Sequence, residues 1–309
     1  MKLSEIICRS TLAAAVCAAL LSTGCRPSSS SPLQGLESEI AAAVDTLPCK
    51  IGVAVIYDSR DTMTYNNSAD FPMMSMFKLH EAVAVCRELD RRGATLDSLL
   101  TINRADLDSL TWSPMLKEFS GESFTVSLGT LLDYTLIHSD NNASNLLFDR
   151  IIGPMETDSC LRTVISDQDF TIRHTEATMK LSPEPLSYEN VTSPLAYACL
   201  INKVMTDTVT SAPNQTRIID CMRRCDTGLA RIAASLPDSV SFAHRTGSGY
   251  INSRGEVTAV NDGGYVTLPD GRSYTIAVFV KDYAGPQEDA EKAIAEVAGI
   301  IYRRLAAAR

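Results

Sequence analysis

The chain has 309 residues, 45% of them hydrophobic and 21% charged, enough to bury a sizeable core in one large domain or two intimate lobes. A net charge of −9 at pH 7 argues against a nucleic-acid surface, which needs a clustered basic face, yet leaves an anionic small substrate open. The histidines, His80, His138, His174 and His244, are scattered, so no metal site and no cofactor are expected.

In chain order, Lys2 and Arg9 precede an apolar run, Thr11 to Leu21, too short to span a bilayer as a permanent helix. It ends in Leu21-Ser22-Thr23-Gly24-Cys25, which resembles the lipobox of bacterial lipoproteins. The expectation is a signal peptide over 1–24 and lipidation at Cys25; an ordinary cleaved signal with an incidental cysteine is the alternative. A Ser- and Pro-rich stretch up to Gly35 reads as a flexible tether over 25–35. Such a protein is periplasmic, touches a membrane only through its lipid anchor, and gives no sign of needing more than a monomer. Six cysteines follow Cys25, at Cys49, Cys86, Cys160, Cys199, Cys221 and Cys225. Their number permits disulfides but their spacing shows no framework, and Cys221 and Cys225 stand one helical turn apart.

Leu36 to Val44 is Ala-rich and amphipathic, a first helix. Ile51 to Tyr57 and Thr62 to Tyr65 read as strands across a polar turn. From Met73 to about Ile219 the pattern is helical, with Leu79–Leu89, Leu128–Ile137 and Asn142–Ile151 as its clearest segments. Strands return over Ser241–His244, Val257–Tyr265 and Tyr274–Val280, the last two joined by the Pro269-Asp270-Gly271 turn. A long amphipathic helix, Glu288 to Leu305, closes the chain. Strands first and last with helices between predict an α+β fold over 36–305. An antiparallel sheet lobe (36–70 and 220–305), covered by the terminal helices, faces an all-helical lobe (71–219) across a cleft, a preferred ligand site.

Three short motifs carry chemistry. Ser75-Met76-Phe77-Lys78 opens a helix, where residues three apart share a face, so the Lys78 amine reaches the Ser75 hydroxyl. By itself it reads as well as a capping serine with a surface lysine. Ser139-Asp140-Asn141 lies between helical segments and equally suits N-capping. Arg245-Thr246-Gly247, followed by Ser248, sets a cation and hydroxyls on a late strand where a carboxylate can be held, or is an ordinary strand ending in a Gly-rich turn.

In this order the three motifs resemble those of the serine β-lactamase and penicillin-binding superfamily, S-x-x-K, S-D-N and K-T-G. The resemblance is closest to class A β-lactamases and covers Leu36 to Leu305. Asn142-Ala143-Ser144-Asn145-Leu146-Leu147 and Thr227-Gly228-Leu229-Ala230-Arg231 add to it. It implies hydrolysis of a β-lactam, with Ser75 acylated, Lys78 its proton partner and Ser139 protonating the ring nitrogen. Asn141 is implied to bind the substrate's side-chain amide. Arg245, Thr246 and Ser248 would hold its carboxylate, and the backbone N–H groups of Ser75 and Ser248 the oxyanion. Arg231 matches an extra carboxylate-binding arginine of some members, or makes a salt bridge. Trp112 is the candidate aromatic wall of the cleft. Deacylation needs a general base on the loop after the second motif, and the candidates are Glu176, Glu184 and Glu189. Family-type spacing from Asn141 and back from Pro194 favours Glu176 over the Glu184-Pro185 pair.

Two departures stand out. Arg245 replaces the usual lysine, as in some carbenicillin-hydrolysing members; it keeps the charge but cannot act as a proton donor. Lys180 stands four residues after Glu176, where many members carry an asparagine, and is expected to pair with Glu176 and weaken it as a base. The same Ser75 chemistry would also serve a penicillin-binding D-Ala-D-Ala peptidase, and a catalytically idle cell-wall-binding lipoprotein is the remaining alternative.

Overall fold

Both ends of the chain build one five-stranded antiparallel sheet in the order Asp61–Tyr65, Lys50–Tyr57, Ser273–Tyr283, Val257–Thr267, Ser241–Ser248. The computed structural model describes residues 31–308, so the expected signal segment and Cys25 lie outside the described residues.

Burial on both faces explains why Lys50–Tyr57 and the middle of Ser273–Tyr283 are continuous apolar runs rather than alternating ones. Side chains on a strand point to opposite faces in turn. Ile51, Val53 and Val55 therefore pack with Ile40 of the Leu36–Val44 helix and Ile294 and Val297 of the Gln287–Ala307 helix. Ala54 and Ile56 join the other cluster, with Phe77, Leu79 and Tyr197. Tyr197 comes from Pro194–Thr206, a helix that opens on a proline, whose missing N–H costs nothing in the first turn. The Val257–Thr267 and Ser273–Tyr283 strands meet through a turn closed by Gly271 N–H to Leu268 O at 3.0 Å, with Gly271 at φ 88°, a left-handed conformation that glycine adopts without strain. The sheet and both terminal helices thus match the α+β architecture expected.

The Lys78–Arg92 helix runs through the middle of the helical part and ends at Gly93, φ 65°. It starts one residue before the expected Leu79 and continues past Leu89, because its buried stripe persists to that residue while Arg91 and Arg92 favourably face the helix C-terminus. Around it stand Leu128–Ile137, capped by Ser127 accepting from Thr130 N–H at 3.0 Å, and Asn141–Arg150, capped by Asp140 accepting from Ala143 N–H at 2.9 Å.

The cysteines form no framework, in keeping with their spacing. All six cysteines from Cys49 onward are free. Cys221 donates to Asp133 Oδ1 at 3.1 Å from the Ala212–Arg223 helix, whereas Cys225 lies beyond that helix, against Thr227. The helix ends between the two thiols, so the one-turn spacing does not bring them together.

Candidate active site

Ser75 is held from both the sheet and the helical part of the chain. Asn261, on the Val257–Thr267 strand, donates to Pro72 O at 2.8 Å, and Met73 N–H donates to Asn190 O at 2.8 Å. The edge strand comes so close that a Cβ on Gly247 would lie 2.5 Å from Met73 O. Between these anchors Met74 takes φ 46° and the chain enters a 3₁₀ turn, Met74–Phe77, that leads into the Lys78 helix. A non-glycine residue in that region is strained, and such strain persists only where surrounding contacts impose it. Ser139, φ 59°, is the other positive-φ residue of the site.

Ser75 Oγ donates to Glu176 Oε1 at 2.9 Å and accepts from Lys78 Nζ at 3.1 Å. Lys78 also reaches Glu176 Oε1 at 3.0 Å, Asn141 Oδ1 at 2.6 Å and Ser139 O at 2.9 Å. Burial pushes the fully enclosed Lys78 amine below the usual lysine range, and Arg245 acts in the same direction while Glu176 opposes both. Arg245 Nη2 donates to Ser139 Oγ at 2.6 Å. The four side chains of Ser75, Lys78, Ser139 and Glu176 therefore share one crevice, although they come from positions up to 101 residues apart.

Supporting contacts explain the geometry. Asp140, fully buried, accepts from Ser113 Oγ at 2.9 Å and Met115 N–H at 2.7 Å, so the second motif is pinned by its middle residue. Asn141 Nδ2 donates to Thr111 Oγ1 at 2.9 Å, which fixes the amide whose oxygen Lys78 holds. Asn145 Oδ1 accepts from Ala177 N–H at 3.1 Å, tying down the short Glu176–Leu181 helix. Thr111 escaped the sequence analysis because a single polar loop residue carries no periodic signal; Asp140, Asn145 and Thr227 stand within the quoted motifs and stretches but were given no role in the site, because what each braces is distant in the chain.

A cleft of about 270 Å³ opens here, lined by Ser75, Trp112, Ser139, Asn141, Glu176 and Thr246 together with Met74, Thr227 and Ser248. Trp112 is 57% exposed and donates from Nε1 to His138 O at 2.8 Å, so it is a wall of the cleft rather than a core residue. A larger groove of about 770 Å³ lies elsewhere, between Arg87, Asp90, Met155 and Val209. Volume is the poorer guide, since that groove contains no hydroxyl held between a carboxylate and a buried amine.

Of the other glutamates, Glu184 binds Ser253 and Glu189 binds His174 at 2.9 Å; neither meets Ser75. Three expectations change. Lys180 does not pair with Glu176: its amine forms an ion pair with Asp108, in the loop before Trp112, while Glu176 Oε1 is already engaged by Ser75 and Lys78. Arg231 does not face the cleft. It is 2% exposed and donates to Gly247 O at 3.1 Å, Asn261 O at 2.8 Å, Ser248 Oγ at 2.6 Å and Glu291 at 3.1 Å, so of its two readings the salt bridge is the one found. Arg245 is fully buried, and it is Thr246 and Ser248 that line the cleft in front of it.

Residues 35–305 match the profile of the beta-lactamase enzyme family. The chain belongs to the class A β-lactamases. This β-lactamase is 44% identical over 272 residues to a beta-lactamase of Phocaeicola vulgatus, covering 87% of this chain and 84% of the relative. It is 34% identical to the extended-spectrum beta-lactamase PER-1 of Pseudomonas aeruginosa, over 89% of this chain and 88% of the other. Among solved structures it resembles the TLA-3 extended-spectrum beta-lactamase (TM-score 0.84, 30% identity, 88% and 98% of the two chains). It also resembles a class A beta-lactamase from Bacteroides cellulosilyticus (TM-score 0.82, 31% identity, 89% and 98%). The activity is hydrolysis of the cyclic amide C–N bond of β-lactams.

Proposed function

We propose that the hydrolysis runs through an acyl-enzyme on Ser75 and that water activated by Glu176 releases it. The observation that carries this reading is the Ser75 hydroxyl donating to Glu176 at 2.9 Å while Lys78 touches both. A serine hydroxyl is a poor nucleophile until a neighbour removes its proton, and here the Lys78–Glu176 pair takes it as Oγ bonds to the ring carbonyl. The negative oxygen that forms is met by the backbone N–H groups of Ser75 and Ser248. As the C–N bond breaks, Ser139 gives its proton to the ring nitrogen, and Lys78 Nζ, 3.4 Å from Ser139 Oγ, replaces it. Asn141 orients the side-chain amide, Thr246 and Ser248 take the carboxylate, and buried Arg245 supplies positive charge behind them. Glu176 then draws a proton from water, the hydroxide attacks the ester, and Ser75 leaves with a proton returned.

The same reading makes the chain a periplasmic monomer tethered by lipid at Cys25, supported by the lipobox-like Leu21-to-Cys25 segment. The chemistry is tested with Glu176→Gln and a rapid-mixing record of product release. The expected result is one equivalent of opened ring per enzyme, then a steady rate reduced about 1000-fold. A steady rate unchanged from the parent enzyme contradicts the role of Glu176, and hydrolysis without a burst contradicts the intermediate.

A further inference from the structure

Behind the cleft runs a chain of polar side chains of which the reaction as described uses only the last, Thr246. Asp262 Oδ1 lies 3.0 Å from His244 Nδ1, and Asp262 Oδ2 accepts from Ile232 N–H at 3.1 Å. The His244 imidazole adjoins the Cys225 thiol. Cys225 Sγ lies 3.3 Å from Thr227 Oγ1, and Thr227 Oγ1 lies 2.6 Å from Thr246 Oγ1. Asp262, His244 and Cys225 are 0%, 3% and 6% exposed, whereas Thr227 and Thr246 line the cleft. The chain thus leads from a buried acid to the hydroxyl placed to meet the substrate carboxylate.

We propose that Cys225 is a positioning residue for substrate binding, its ionisation setting which way the Thr227–Thr246 hydroxyl pair points its protons. Two hydroxyl oxygens 2.6 Å apart share one hydrogen, so one must donate to the other. When the sulfur is a thiolate it only accepts, and it takes the Thr227 proton; Thr227 then accepts from Thr246, whose hydrogen is turned away from the cleft. When the sulfur holds its proton, Thr227 donates to Thr246, and the Thr246 hydroxyl is free to donate to an anionic substrate. The proton lost by Cys225 goes to solvent, and no bond between heavy atoms changes.

The groups around Cys225 make both states accessible. Burial raises its proton affinity, but His244, Arg245 and Thr227 outweigh it and bring the thiol to about 7. His244 is itself held protonated: burial lowers it, while Asp262 and the thiol raise it to about 10. Tyr197, from the Pro194–Thr206 helix, stays neutral because burial pushes it up. Cys49, Cys86, Cys199 and Cys221 are all driven upward by burial, the first to about 11, whereas Cys225 is brought down.

The proposal rests on Thr246 binding the carboxylate, and its test is the pH dependence of Cys225→Ser against the parent enzyme with benzylpenicillin. Serine keeps a hydroxyl that donates at every pH. The expected ratio of kcat/KM, variant over parent, is about 1 near ~pH 6 and rises about tenfold by ~pH 9, while the ratio of kcat values stays constant. A thiolate ultraviolet difference between the two proteins should titrate over the same range. A purely structural role gives a pH-independent offset, which overturns the proposal, as does a thiol that fails to titrate. If the serine variant does not fold, Thr227→Val, which frees Thr246 at every pH, must show the same rising ratio. Failure here with hydrolysis intact leaves the Ser75 mechanism untouched; loss of hydrolysis in the parent enzyme removes that mechanism instead.

Discussion

Arg245 Nη2 donates to Ser139 Oγ at 2.6 Å, joining the edge strand of the sheet to the loop between two helices across the cleft. No carboxylate lies within salt-bridge distance of this guanidinium among the described residues, and its Nε and Nη1 have no partner. Its charge is therefore directed at Ser139 and at the cleft in front of it, where a buried cation acts with little screening.

Arg245→Ala should lower kcat/KM for a penicillin about 100-fold, because it removes both the donor to Ser139 and the charge behind Thr246. Arg245→Lys should recover all but about tenfold of that loss, since a lysine supplies the charge without the planar fork. Steady-state kinetics on the two variants check this; equal damage from both would show that shape, not charge, is what the position supplies.

Lys180→Ala should be nearly silent. Its partner is Asp108, and the two side chains are 44% and 32% exposed, so solvent screens the pair and its loss costs at most about 1 kcal/mol. Turnover should stay within about fivefold of the parent. A hundredfold fall in kcat would mean that Lys180 acts on Glu176 after all.

His80 should make the fold acid-sensitive. It is fully buried between the rings of Phe170 and Tyr197, 5.4 and 5.6 Å away, and neither ring nitrogen has a partner. Burial holds the imidazole down at about 3, against about 6.5 in the unfolded chain. Between those values the unfolded state binds the extra proton. Stability is therefore full above ~pH 6.5 and falls as pH drops towards ~3, by a few kcal/mol. Thermal melts across that range should show a shallower decline for His80→Leu than for the parent. Parallel declines would remove His80 from the account.

Much of this arrangement is legible in the residues. The run from Ile51 to Tyr57 declares a strand buried on both sides, and the last helix declares its stripe through Ala290, Ile294, Val297 and Ile301. Ser75 and Lys78 are close because helical spacing makes them so. Glu176 was reachable only through family-type spacing, since nothing local marks one glutamate among three. What stayed hidden depends on partners distant in sequence. Lys180 and Asp108 are 72 residues apart, and Arg231 and Glu291 are 60 apart; a residue's own neighbourhood does not reveal which distant charge it meets. Cys225 reads as a buried hydrophobe until His244 is seen beside it.

The most direct measurement is the site of covalent attachment when Glu176→Gln protein is mixed with a penicillin, digested and mapped by mass spectrometry. An intact-drug mass is expected on the peptide containing Ser75, and no adduct when Ser75 is also replaced by alanine. A drug mass on any other residue, or continued hydrolysis by Ser75→Ala alone, would contradict an acyl-enzyme on Ser75.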